Sequence, residues 1–141
     1  MVSRSWSDPP LTDQTPIEQA VQQFIYEQIE SVPHLEALLL LWNSRPQPWL
    51  TTNLAKRLYV DEPVARRLLQ DLARRQLVDA AADPPDSFRY KSESAERDQL
   101  IAAVDATYRR EVVRISTLIH TKPSASIQAF ARAFRLTKER E

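Results

Sequence analysis

Thr51-Thr-Asn-Leu-Ala-Lys-Arg-Leu-Tyr-Val-Asp-Glu-Pro-Val-Ala-Arg-Arg-Leu-Leu-Gln-Asp-Leu-Ala-Arg-Arg-Gln-Leu-Val78, followed after a short loop by Phe88-Arg-Tyr-Lys91, decides the fold. Leu54, Ala55 and Leu58 recur at helical spacing, and Thr51 or Thr52 stands where a helix cap belongs. Tyr59 and Val60 interrupt that period. Asp61 then caps a second helix, with Pro63 in its first turn. Val64, Leu68, Leu69 and Leu72 form the buried stripe of this helix, and Glu62, Arg66, Arg67, Gln70, Arg74 and Arg75 fall on its other faces. Leu77 to Ala80 and Ser87 to Lys91 read as a hairpin turned by Asp83-Pro-Pro-Asp86. Two short helices joined by a tight turn and closed by a hairpin make a helix-turn-helix with a wing.

Outward from this unit the pattern stays helical, so the expected class is mainly α with a small β-hairpin and long flanking helices. Residues 1–15 have no apolar period and are expected to form a flexible arm. Pro16 suits a first helical position, and Ile17, Val21, Phe24, Ile25 and Ile29 carry a helix to about Ser31. Ser31 caps the next helix, opened by Pro33. Its Leu35, Leu38, Leu39, Leu41 and Trp42 make it the most apolar element and the expected centre of the core. Pro46 and Pro48 break the chain before the quoted stretch.

After the hairpin, Ala95 to His120 contains neither Gly nor Pro and predicts one long helix. Ile101, Val104, Tyr108, Val112, Ile115 and Ile119 repeat along it at coiled-coil spacing. That seam is either a dimer interface, the preferred reading, or a face packed on the N-terminal helix of the same chain. Lys122-Pro123 ends it. Ile127, Phe130, Ala131 and Phe134 then mark a last helix within 123–141, which either caps the core or docks on a partner protein. The organisation expected is an arm over 1–15, a winged domain with its N-terminal helix over 16–92, a dimerisation helix over 93–122, and a terminal helix and tail over 123–141.

Composition removes whole classes of function. Glycine and cysteine are both absent from the 141 residues. Phosphate-cradling loops, nucleophile elbows and dinucleotide fingerprints need glycine. Disulfides, thiolate nucleophiles and cysteine-based zinc sites need cysteine. His34 and His120 are too few and too far apart in sequence to suggest a metal, and no nucleophile–base spacing stands out, so neither a cofactor, a metal nor catalysis is expected. No apolar run approaches the ~20 residues of a membrane span. Met1 to Pro10 has no signal-peptide core, so a soluble cytosolic protein without membrane contact is expected. Formal net charge is zero, but unevenly spread. Two bases against six acids leave residues 1–50 at −4. Eight against six put 51–92 at +2, and nine against seven put 93–141 at +2.

Residues 33–91 resemble a bacterial winged helix-turn-helix. Leu54-Ala55-Lys56-Arg57-Leu58, then Val60, Leu68 to Leu72 and Leu77-Val78, are similar to the pattern of MarR-, PadR- and ArsR-type transcriptional regulators. The long helix after the wing resembles the dimerisation helices of MarR- and PadR-like proteins. Two positions depart from the pattern: Tyr59 and Gln76 stand where such sequences usually place glycine. A left-handed residue at Gln76 costs roughly 1 kcal/mol relative to Gly. The resemblance implies a dimeric regulator of transcription that lays the helix 61–76 in the major groove of a near-palindromic duplex.

On that reading Arg66, Arg67 and Gln70 are candidate base readers, since Arg pairs with guanine and Gln with adenine. Asn53, Lys56 and Arg57, with Arg89 and Lys91 in the wing, are candidate phosphate contacts. A solvated helix face would carry the same residue types. Asp61 and Glu62, at the start of the reading helix, oppose a phosphate approach. With the neutral total charge, they favour a second reading, a winged helix used for protein–protein contact. Trp42, Trp49, Tyr59 and Phe88 are candidate walls of an effector pocket, although such aromatics are more often core.

Overall fold

The structure, a computed structural model, describes residues 15–122. The rest of the expected arm and the helix expected over Ala125 to Leu136 lie outside the described residues. Helix α1 (Pro16–Gln28) opens with a reciprocal cap. Thr15 Oγ1 accepts from the Glu18 amide at 3.1 Å, and Glu18 Oε1 accepts from the Thr15 amide at 3.0 Å. Thr15 therefore belongs to the helix rather than to an arm. The helix stops at Gln28, short of the expected Ser31, because Ile29 turns extended and buries its side chain completely. Ser31 then caps α2 (Val32–Ser44) by accepting from the His34 amide.

Strand β1 (Trp49–Leu50) runs directly into α3 (Thr51–Leu58). After the turn come α4 (Glu62–Arg74), β2 (Val78–Ala81), β3 (Ser87–Tyr90), α5 (Ala95–Arg110) and α6 (Val112–Thr121). The antiparallel sheet has the order β1-β3-β2, with Trp49 opposite Phe88 and Val78 opposite Tyr90. The expected hairpin is thus joined by a third strand, too short to leave a period in the sequence. Its pairing changes the start of α3. Leu50 occupies the cap position, and Thr51, the first helical residue, is buried, its amide and hydroxyl both donating to Asp86. Neither Thr51 nor Thr52 caps α3 with its side chain. Asp61 does stand at the cap position of α4, but without a side-chain cap bond.

Both short helices end in the same way. Tyr59 and Gln76 are left-handed, with φ of 60° and 65°. The Val60 amide returns to the Ala55 carbonyl and the Leu77 amide to the Leu72 carbonyl, closing two six-to-one turns around non-glycine residues.

The core is one cluster centred on α2, whose Leu35, Ala37, Leu38 and Leu41 are fully buried. Leu54 of α3, Leu69 and Leu72 of α4, and Phe88 and Tyr90 of β3 pack around them. Trp42 meets Tyr90 edge-on with ring centroids 5.0 Å apart, and the Arg45 guanidinium lies 3.4 Å above the Trp42 ring.

The single long helix expected over Ala95 to His120 is broken at Glu111, whose φ of −134° and ψ of 53° leave the helical region. The break lets both halves of the seam face inward. Ile101, Val104, Ile115 and Ile119 are buried in the same cluster as Val21, Phe24 and Ile25 of α1. Tyr108 is half-buried and donates to Glu36 of α2 at 3.0 Å, while Val112 is exposed. All of the seam but Val112 is therefore packed on the chain's own N-terminal helices, the other use expected for it, rather than left free as a dimer face. Lys122 completes the packing by donating to the carbonyls of Ile25 at 3.2 Å and Tyr26 at 2.7 Å, at the open end of α1. Among the described residues no helix is long and apolar enough to cross a membrane.

The sheet is tied to α5 through Asp98. Its carboxylate accepts from Tyr90 Oη at 2.7 Å and from Ser92 Oγ at 2.6 Å. These bonds, Ser92's first, hold the carboxyl below its ordinary pKa, whereas burial and then the bond to Asp98 push the Tyr90 phenol up. A carboxyl depressed in the folded state stabilises fully above its unfolded pKa and loses that contribution as pH falls through the folded value. We therefore expect Asp98→Asn to be less stable than the wild type at neutral pH. Its stability should also fall less steeply on acidification from about pH 6 to about pH 3. Urea melts across that range check both expectations.

Candidate nucleic-acid interface

Helix α4 sorts its side chains into four directions. Ala65, Leu68, Leu69 and Leu72 face the core. Pro63, Arg67, Gln70 and Arg74, spaced four, three and four apart, form the opposite, exposed face. Two flanks lie between them. One carries Asp71, which meets His34 of α2 at 2.9 Å, and Arg75, which reaches Glu30 at 3.1 Å. The other carries Arg66 and Glu62, turned toward the wing and α3.

This geometry separates the three expected base readers. Arg67 and Gln70 are exposed on the outer face. Arg66 is not free: its guanidinium binds both carboxylate oxygens of Asp86, at 2.6 and 3.2 Å. Asp86 ends the wing-tip turn in a left-handed conformation with φ of 60° and also receives Thr51. Arg66, Asp86 and Thr51 thus join α4, the wing tip and the start of α3. No helical period links positions 66 and 86, so sequence alone could not pair them. Arg74, which the reading from sequence left off the site, stands on the outer face beside Gln70, with its guanidinium donating to Asp71.

Helix α3 divides similarly. Thr52 and Lys56 share the flank facing α4, where Thr52 Oγ1 donates to Glu62 at 2.9 Å across the turn. That bond gives the exposed Glu62 a partner within the fold, beside the equally exposed Asp61 at the start of α4. Asn53 and Arg57 lie on the other flank. Arg57 lines a cleft of about 210 Å³ with Glu36, Asn43, Asp105 and Tyr108, so it points toward α2 and α5 rather than along the outer face of α4.

In the wing, Arg89 is exposed and sits opposite Asp79. Lys91 is half-buried at the wing's base, where its ammonium donates to the Gln76 side chain. That bond fastens the left-handed Gln76 to the hairpin. The aromatics do not assemble a pocket. Trp42 and Phe88 belong to the core, Trp49 Nε1 donates to Ser44 at 2.8 Å, and Tyr59 points into solvent.

Glu30, His34 and Asp71, far apart in sequence, bring one potential ligand atom each within 4.8 Å of one another. The cluster is internally satisfied. Ser31 Oγ lies 2.6 Å from His34 Nδ1, Asp71 contacts His34 Nε2 and Arg74, and Glu30 contacts Arg75. Two guanidinium groups already balance its two carboxylates, which suits a link between α2 and α4.

The arrangement of helix, turn, helix and wing has counterparts of known structure. RV1404 from Mycobacterium tuberculosis is 19% identical, covering 87% of this chain and 80% of its own, with a TM-score of 0.50. The likeness is one of fold. MepR, a transcription regulator of the Staphylococcus aureus multidrug efflux pump MepA, is 16% identical over 89% of this chain and 90% of its own, with a TM-score of 0.49. A MarR family protein from Bacillus stearothermophilus is 16% identical over 88% and 84%, with a TM-score of 0.48. The sequence matches no protein-family profile and no curated protein.

Replacing Arg66 with Ala should free the wing tip while leaving the core intact. An exposed, bidentate pair of this kind contributes about 0.5–1 kcal/mol. We expect a loss of that order in chemical denaturation, together with faster amide exchange at Thr51, whose amide is bonded to Asp86.

Proposed function

We propose that the chain is a DNA-binding regulator of transcription that places α4 in the major groove. The observation that carries this reading is the outer face of α4. Arg67, Gln70 and Arg74 are exposed together on a helix held rigidly by the core and by the wing. Arg67 and Gln70 take the base-reading roles, for guanine and adenine respectively. Arg66 sets the angle of the wing. Lys56 and Arg89 supply phosphate contacts from α3 and the hairpin, with Asn53 at the margin of α3, while Arg57 faces the cleft beside α2 and α5.

A near-palindromic site requires two copies related by a two-fold axis. Because Ile101, Val104, Ile115 and Ile119 are buried within one chain, the pairing surface lies on the outer side of the helical layer. Among the described residues Ile17 and Tyr26 of α1 and Val112 and Val113 of α6 are exposed, Val113 by 79%, and offer apolar surface for it.

The second reading, a winged helix used to bind protein, is favoured by the exposed Asp61 at the start of α4 and the exposed Asp83 at the wing tip. Salt separates the two. Phosphate contacts release counterions, so DNA affinity falls steeply with salt, whereas an apolar protein interface barely responds. Fluorescence anisotropy with random duplex DNA should give micromolar binding at low salt that collapses at moderate salt. Absence of binding at low salt overturns the regulator. On a selected site, Arg67→Ala should weaken binding by about 1–3 kcal/mol and relax preference at one base pair. Sedimentation equilibrium should return a dimer that Val113→Glu dissociates.

A further inference from the structure

Among the described residues three adopt the left-handed conformation, and none is a glycine: Tyr59, Gln76 and Asp86. Such residues are strained relative to glycine and persist where something else holds them. For two, the side chain explains the residue. Gln76 accepts from Lys91, and Asp86 receives both Arg66 and Thr51. Tyr59 differs. It is 92% exposed, and among the described residues its phenol makes no hydrogen bond and its ring no aromatic or cation contact. Within the described fold a glycine would close the α3–α4 turn at least as well and would leave less apolar surface in water.

We propose that Tyr59 is a DNA-backbone contact whose phenol donates a hydrogen bond to a phosphodiester oxygen at the rim of the groove entered by α4. This rests on the reading of α4 as the groove-binding helix. The turn that immediately precedes α4 meets the phosphate rim when the outer face of that helix lies in the groove. Tyrosine is among the side chains that donate to phosphate. Lys56, exposed three residues earlier, adds a positive charge that offsets the carboxylate of Asp61 two residues later, so a phosphate there does not need a second cation. A neutral donor reaches a phosphate there without requiring one. The backbone bond from the Tyr59 amide to the Lys56 carbonyl, 3.3 Å, holds the turn and so sets the direction of the Tyr59 Cα–Cβ bond.

The test compares the full chain with Tyr59→Phe and Tyr59→Gly, by thermal unfolding and by anisotropy on random duplexes at two salt concentrations. Tyr59→Phe should keep its Tm and lose about tenfold in affinity on every sequence. Its salt slope should be unchanged, because a neutral donor releases no counterion. Tyr59→Gly should be at least as stable as the wild type and bind DNA as weakly as Tyr59→Phe or more so. If the wild type binds and both variants bind equally well, the assignment of Tyr59 is overturned while the regulator reading stands. If the wild type itself fails to bind at low salt, the regulator reading falls and takes this contact with it.

Discussion

The side chains of Leu35, Leu38 and Leu41 have lost all contact with water, and each surface that covers them belongs to a different element. Helices α3, α4 and α6 and strand β3 all pack on α2. Burying each leucine contributes about 1.5–3 kcal/mol, and none of those elements is long enough to be stable by itself. The positions of α4 and of the wing are therefore consequences of how they cover α2. A loss of packing there would displace Arg67 and Gln70 without touching them.

Polar links refine what the apolar core arranges. His34 with Asp71 fastens α4 to α2, Tyr108 with Glu36 fastens α5 to α2, and Tyr90 with Asp98 fastens the sheet to α5. Arg66 with Asp86 is the outermost of these and the most exposed. Its energetic weight is small, but its geometric effect is large, because it sets the wing against α4. The chain achieves this without a single glycine. Each place where glycine would relieve a left-handed turn carries a larger side chain, and at Gln76 and Asp86 that side chain joins two elements.

Much of the fold was legible because helical and strand periods are local. The buried stripe of α4, the apolar character of α2, the hairpin, the cap at Ser31 and the helix start at Pro16 follow from spacing over a few residues. Strand β1 was not legible, since two residues carry no period and pair only through a partner distant in sequence. The break at Glu111 was not legible either. Nothing in Arg-Arg-Glu-Val-Val forbids a helix, and the bend arises because Ile101 and Ile119 must both reach the core beneath α1. The seam looked like an interface between chains because spacing reveals that a stripe will be buried, never against what.

By itself, the sequence determined the succession of α1 to α4 and the hairpin, the two turns at Tyr59 and Gln76, and the residue types offered by α4, because each depends on neighbours a few positions away. Only the tertiary structure decided which of those side chains stay free. Arg66 and Arg67 are adjacent and chemically identical. One is held by Asp86 and the other faces solvent, because a 100° step around the helix turns the first toward the wing and the second away from it.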